Sequence, residues 1–339
     1  MEIELIPKEL KRLDRVTDAR RDARRFAGGV SLILIFFASA GITVSYLHSR
    51  SAPAPQSPQT ALAAVALPHV DAYASTTLSA HAAYVFDLTS STTLYTKNAD
   101  IVWPLASLTK VLLTLVVSEV LAPDMHITIP YDTALTEGGH YLRHGDVWRV
   151  RDILDFTLVA SSNEGADILA GAADEPLHEK YPQSPAHDTT LWRMNDLAHD
   201  LGLHETHFLN VNGLDESATQ AGAYGSARDM ARLFAYAASQ KLDIFSATTQ
   251  PTRALTSQNG VKTTAVNTDK ALDLIPGLLM GKTGYTDLAG GNLAVVFSAS
   301  ARDARPQHTV VAVVLGSTQD GRFEDMKKLI AATQKALAQ

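Results

Sequence analysis

Phe26 to Leu47 reads FAGGVSLILIFFASAGITVSYL, twenty-two residues without a single charge. As a helix this stretch is long enough to span a hydrocarbon core of roughly 30 Å. Buried helices of globular domains seldom run that far without a polar face. No other feature constrains the fold as much, because this one cuts the chain into pieces that face different solvents. Arg20, Arg21, Arg24 and Arg25 crowd its N-terminal side, whereas Arg50 alone stands just beyond the other end. That excess of cations marks the N-terminal side as cytoplasmic and the rest of the chain as exported. A cleavable leader is the competing reading, since Ala38-Ser39-Ala40 has the small residues of a cleavage site. The long basic preamble, and an apolar run that continues past that site, favour an uncleaved anchor.

The formal net charge of −7 divides at this segment. Residues 1–25 hold eight basic and six acidic side chains, a net of +2, which leaves −9 for the rest. Residues 48–78 are rich in Ala, Ser, Thr and Pro (Pro53, Pro55, Pro58, Pro68). They read as a tether that reaches on the order of 100 Å when extended. The expected order is a cytoplasmic tail over 1–25, a transmembrane helix over 26–47, a linker over 48–78 and one exported domain over 79–339. Of the 339 residues 46% are hydrophobic, ample for a full core, so disorder is excluded as a global description. The absence of cysteine excludes a disulfide framework, a thiol nucleophile and any Cys-based metal site. The acidic balance argues against a nucleic-acid partner.

Within the exported domain, Ala82–Leu88 and Thr92–Lys97 read as a strand pair joined by a polar turn. Leu105–Leu121 is an apolar helix, with Pro104 at its start and Pro123 beyond its end. Arg151–Ala173 is a second helical stretch, interrupted at Ser161-Ser162-Asn163, and Leu191–Leu201 and Ser226–Ala238 are amphipathic helices. Ser226 and Asp229 have the spacing of a capping box. The period then changes to strands at Leu278–Thr283, Leu293–Ser300 and Thr309–Leu315, closed by a helix over Phe323–Leu337. Strands at both ends with helices between them predict an α+β fold: an antiparallel sheet, helices packed on it, and a helical subdomain.

Three short motifs carry chemistry. In Ser107-Leu108-Thr109-Lys110 the serine and lysine lie at i and i+3, on one helix face. A buried, unprotonated lysine there is a base for a serine nucleophile. Alone the pattern is weak, for S-x-x-K arises by chance about once in such a chain. Ser161-Ser162-Asn163 falls where Ser and Asn are poor helix formers. It is either a simple helix break or a hydroxyl and an amide turned into a cleft, Ser161 to relay a proton and Asn163 to hold a substrate amide. Lys282-Thr283-Gly284 ends an apolar strand. Its cation and hydroxyl suit a carboxylate, and Gly284 allows a ligand backbone to approach. An ordinary strand end is the plain counterpart, and a phosphate loop is excluded because no G-x-x-x-x-G-K precedes it.

Together and in this order, the motifs form the S-x-x-K, S-x-N, K-T-G set of penicillin-binding proteins and class A β-lactamases. The surrounding segments WPLASLTKVLLTLVV, LVASSNEGADILA, FLNVNGLDES, YGSARDMARL and GKTGYTDLAGGNLA resemble those of the serine D-alanyl-D-alanine carboxypeptidases, and the likeness covers roughly residues 80–335. The resemblance implies a transpeptidase-like fold and an acyl-enzyme on Ser107, formed with peptidoglycan stem peptides ending in D-Ala-D-Ala. It makes Lys110 the base and the backbone N–H groups of Ser107 and Tyr285 the oxyanion donors. Ser161 and Lys282 then pass a proton to the leaving D-alanine, and Thr283 binds its carboxylate. Arg322 either lies near that carboxylate or is a solvated arginine at the start of the closing helix. It implies acylation by β-lactams and no cofactor or metal. Glu164 stands where relatives often carry Asp, and the β-rich C-terminal domain of many relatives is absent.

Two other enzymes and one inert protein compete. A class A β-lactamase needs a glutamate in an E-x-x-L-N-like segment, which LWRMNDLAHDLGLHETHFLN does not supply. A metallopeptidase is suggested by His140/His144 and His204/His207, pairs without a third ligand. A catalytically inactive, tethered wall-binding protein is disfavoured by the presence of every named catalytic residue.

Overall fold

A computed structural model describes residues 71–130, 142–299 and 307–338. The expected tail and span over 1–47, and most of the tether, lie outside those residues. Among the described residues no helix is long and apolar enough to cross a membrane.

The first hairpin follows the sequence reading, with β1 over Ala82–Asp87 and β2 over Thr92–Lys97. After the short β3 (Trp103–Pro104) comes one 3-10 turn, Ala106–Leu108, leading into α1 (Thr109–Val117). β4 (His126–Thr128) and β5 (Val147–Arg149) pair ahead of three helices, α2 (Val150–Val159), α3 (Asn163–Lys180) and α4 (Thr189–Asp200). β6 (His207–Phe208) and β7 (Ala223–Gly225) form a small sheet with β3, and α5 covers Ala227–Phe245. The hairpin β8 (Thr252–Thr256) and β9 (Lys262–Val266) precedes β10 (Leu278–Thr286), β11 (Gly290–Ala299), β12 (His308–Ser317) and the closing α6 (Gly321–Leu337).

The main sheet is antiparallel, in the order β10-β11-β12-β1-β2, so the earliest strand sits beside the last. Side chains alternate across a strand, and here both faces are covered. Val311, Val313 and Leu315 of β12 enter the larger core with α1 to α5, while Val310, Ala312 and Val314 enter a second core under α6. Burial on both faces explains why these strands read as continuous apolar runs. The α+β architecture expected from the sequence is the one observed.

Three local expectations change. The helix expected over Leu105–Leu121 is shorter, because Pro104 is a strand residue paired with Tyr224 and Ala106 has φ +49°, outside helical space. Ser226 caps α5 by accepting from the Asp229 N–H at 3.1 Å, but Asp229 does not reciprocate. Its carboxylate takes the Glu205 N–H and the Thr206 hydroxyl instead. The tether expected to reach residue 78 stops earlier. Ala72, Tyr73 and Leu78 are buried in the second core, and Tyr73 Oη meets Thr333 Oγ1 at 2.7 Å. Buried Asp325 accepts the N–H groups of Ser79 and Ala80. A segment so held is part of the domain.

Candidate active site

Ser107 begins the site. It sits in the 3-10 turn before α1, and Ala106 before it is held at positive φ. Two glycines make that turn possible. A Cβ on Gly213, whose φ is +83°, would lie 2.1 Å from the Ala106 carbonyl oxygen. A Cβ on Gly284 would lie 2.9 Å from Leu105 O and 3.2 Å from Ser107 N. Gly284 therefore serves the approach of β10 to the nucleophile turn, whereas the sequence reading had it admit a ligand backbone. Asn292 of β11 pins the same turn, its Nδ2 donating to Pro104 O at 2.9 Å and to Leu105 O at 3.0 Å.

Lys110, one turn on, is fully buried. Its Nζ lies 2.8 Å from Ser107 Oγ and donates to Asn163 Oδ1 at 2.7 Å and to the Asn212 backbone carbonyl at 2.6 Å. Burial pulls its pKa down to about 7, against the opposing charge of Asp167. A neutral amine has two N–H groups and one lone pair. Asn163 Oδ1 and Asn212 O can only accept, so they take the two N–H groups and the lone pair is left facing Ser107, whose hydroxyl then donates. The arrangement is that of an activated serine nucleophile. Asn163 was expected to hold a substrate amide; here its carbonyl oxygen is bound to Lys110.

Lys282 on β10 mirrors this amine. At 2% exposure it donates to Ser161 Oγ at 2.7 Å and to the Thr283 carbonyl at 2.9 Å. Burial, then the positive charges of Lys110 and Arg322, hold its pKa well below the usual lysine value against Asp269. Ser161, between α2 and α3, is at φ +59°, a strained angle for a side chain bearing Cβ. Thr283 Oγ1 meets Thr268 Oγ1 at 2.6 Å. Tyr285 follows at the strand's outer end, 44% exposed. Arg322 is buried at the start of α6, and its Nη1 donates to the Gly284 carbonyl at 2.7 Å. A solvated arginine at a helix start is thereby excluded.

The nine residues singled out from sequence converge on one region, Tyr285 through its place in β10 and its electrostatic interaction with Arg322. Asn212 and Asn292 were missed. Asn212 acts through a backbone carbonyl, which side-chain patterns do not reveal. Asn292 did leave a signal, a lone amide in the apolar strand GGNLAVVFSA. Among the described residues no cluster of three or more His, Asp or Glu side chains could hold a metal ion. His140 lies outside those residues, and His207 stacks on Tyr224.

Comparisons with known proteins point to one family. The model of peptidase family S11, described as D-alanyl-D-alanine carboxypeptidase, matches residues 69–319. A D-alanyl-D-alanine carboxypeptidase of Mycobacterium tuberculosis is 30% identical over 240 residues, 70% of this chain and 75% of its own. One of Bacillus subtilis is 27% identical, and 61% of its length is covered. Among solved structures, the M. tuberculosis carboxypeptidase superposes with a TM-score of 0.63 at 26% identity, over 75% of this chain and 90% of its own. A Listeria monocytogenes penicillin-binding protein in its ampicillin-bound form gives 0.61 at 28% identity, over 76% and 97%. With the matched region covering well over half of the sequence and holding every residue of the site except Arg322, the chain belongs to the D-alanyl-D-alanine carboxypeptidase family of serine hydrolases.

Proposed function

We propose that this chain is a membrane-anchored carboxypeptidase that removes the terminal D-alanine from peptidoglycan stem peptides. The observation that carries the reading is the amine of Lys110, buried, near-neutral and hydrogen-bonded so that its lone pair meets Ser107 Oγ at 2.8 Å. Ser107 Oγ attacks the carbonyl carbon between the two D-alanines as its proton passes to Lys110. The backbone N–H groups of Ser107 and Tyr285 take the oxyanion, each such donor being worth on the order of 3 kcal/mol of barrier. The C–N bond then breaks, and the leaving amine receives a proton by way of Ser161 and Lys282. Thr283 receives the released residue's carboxylate, with the charge of Arg322 behind it. Water hydrolyses the resulting ester. β10 is an edge strand, whose open backbone groups suit an extended peptide.

β-Lactams resemble the D-Ala-D-Ala terminus and acylate Ser107 in the same way; the ampicillin- and cefotaxime-bound relatives support this. The full-length chain in detergent micelles, mixed with a fluorescent penicillin and separately with a pentapeptide stem, tests the reading. Covalent labelling and D-alanine release are expected, both lost in Ser107→Ala. Labelling of that variant at the wild-type rate would overturn the proposal. Fast nitrocefin turnover without D-alanine release would place the chain with the β-lactamases instead.

A further inference from the structure

Asn212 touches Lys110 with its backbone and Asp167 with its side chain. Asn212 Oδ1 accepts the Leu214 N–H at 2.9 Å, which fixes the amide's orientation and turns Nδ2 toward Asp167 Oδ1, also at 2.9 Å. The carbonyl of the same residue receives an N–H from Lys110 at 2.6 Å. Asp167 follows Asn163 by four residues on α3, so both project from one face of that helix. Asn163 reaches Lys110 directly, and Asp167 reaches it through Asn212.

We propose that Asp167 is a positioning residue for Lys110, holding the Asn212 carbonyl on the amine through the Asn212 side chain and placing a negative charge beside the base. The assignment rests on the reading of Lys110 as the base of Ser107. If the carbonyl moves, one N–H of the amine loses its acceptor, the amine rotates and its lone pair leaves the hydroxyl. The charge acts separately. Lys110 faces two charged groups, Asp167 on α3 and Lys282 on β10. The carboxylate favours the ammonium form, while burial and Lys282 favour the neutral amine. Burial raises the pKa of Asp167 itself, opposed by the hydrogen bond from Asn212 and the charge of Lys110. Ionised, Asp167 keeps Lys110 a stronger base than burial alone would leave it, with a pKa of about 7 near the pH where general-base catalysis is most efficient.

The two contributions separate in a pH profile of acylation. Labelling rates of the full-length chain by a fluorescent penicillin are measured between about pH 5 and 9. Asp167→Asn keeps an oxygen for Asn212 but carries no charge. Its acid limb moves to lower pH, so that at about pH 6 it labels roughly 3- to 10-fold faster than wild type, each relative to its own plateau. Asp167→Ala loses the acceptor as well, and its plateau rate falls roughly tenfold. Asn212→Ala reproduces that fall, and the double variant is no slower than either single one. The limb belongs to the labelled fraction, so a variant folding in lower yield still reports it. A limb that stays in place in Asp167→Asn, or additive losses in the double variant, overturns the proposal. Failure of the Ser107 reading looks different: wild type does not label, or Ser107→Ala does.

Discussion

Two amines, Lys110 and Lys282, sit almost without solvent in a site of this kind, and each is arranged to spend part of its time unprotonated. For Lys110 the sign of the pH effect is definite. Below a pKa of about 7 the amine gains a proton and loses the lone pair that faces Ser107. Acylation by penicillin is therefore expected to level off above about pH 8 and to fall about tenfold per unit below about pH 6. A profile flat down to about pH 5 would remove Lys110 from the role. Lys282→Ala is expected to lower D-alanine release by roughly 100-fold or more, with an unchanged circular dichroism spectrum. At this scale the sequence was informative where a side chain is itself the reagent, as with Ser107, Lys110, Ser161 and Lys282. Asn212 was not legible because any residue carries a carbonyl, and only the fold brings this one to the amine. The role expected for Gly284 was displaced because what approaches it in the structure is the chain's own turn.

The elements around the site are held by polar residues buried inside them. Asp325, in the first turns of α6, accepts the Ser79 and Ala80 N–H groups at 3.0 and 2.8 Å and the Ser317 hydroxyl at 2.7 Å. Asp325→Ala leaves two buried donors, Ala80 N–H and the Ser317 hydroxyl, and one part-buried donor, Ser79 N–H, without this partner and is expected to cost about 3 kcal/mol. A fall of roughly 10 °C in the melting temperature would report it, and a fall under about 2 °C would show that the 72–80 segment contributes little. The loop carrying Asn212 is tied in the same manner, since Asn210 Oδ1 accepts the Gly213 N–H at 2.7 Å and its Nδ2 donates to Leu214 O at 2.9 Å. Gly213→Ala meets both a positive φ and the Ala106 carbonyl, so it is expected to reduce penicillin labelling at least tenfold. Wild-type labelling would show that the nucleophile turn tolerates displacement. Most helices and strands were legible from their periodicity. The β8–β9 hairpin was not, although Asn259-Gly260 is a strong turn signal. Its strands bury only Leu255 and Ala265, too little to leave a pattern.

Across the whole molecule, the site draws on segments from residue 107 to residue 322, and the two cores lie on either side of the main sheet. The α+β plan was readable because its strands are apolar on both faces and its helices on one. Where the domain begins was not, since Ala72, Tyr73 and Leu78 are set in a stretch whose composition reads as linker. The proposed placement, with a cytoplasmic tail of net +2 and an exported domain, is tested by protease treatment of intact spheroplasts carrying an N-terminal tag. Digestion is expected to destroy the domain and spare the tag, and the reverse would invert the orientation. The strand order adds a constraint on timing. β1 is among the first parts of the domain to leave the ribosome, yet its partner β12 is more than two hundred residues away and among the last. Until translation is nearly complete, β1 has one side without a neighbour, and the face that packs under α6 is uncovered. Nothing resembling the native sheet can close early, so the chain reaches any translocation machinery still unfolded. A premature stop before β12 would yield an aggregation-prone fragment in place of a smaller working enzyme.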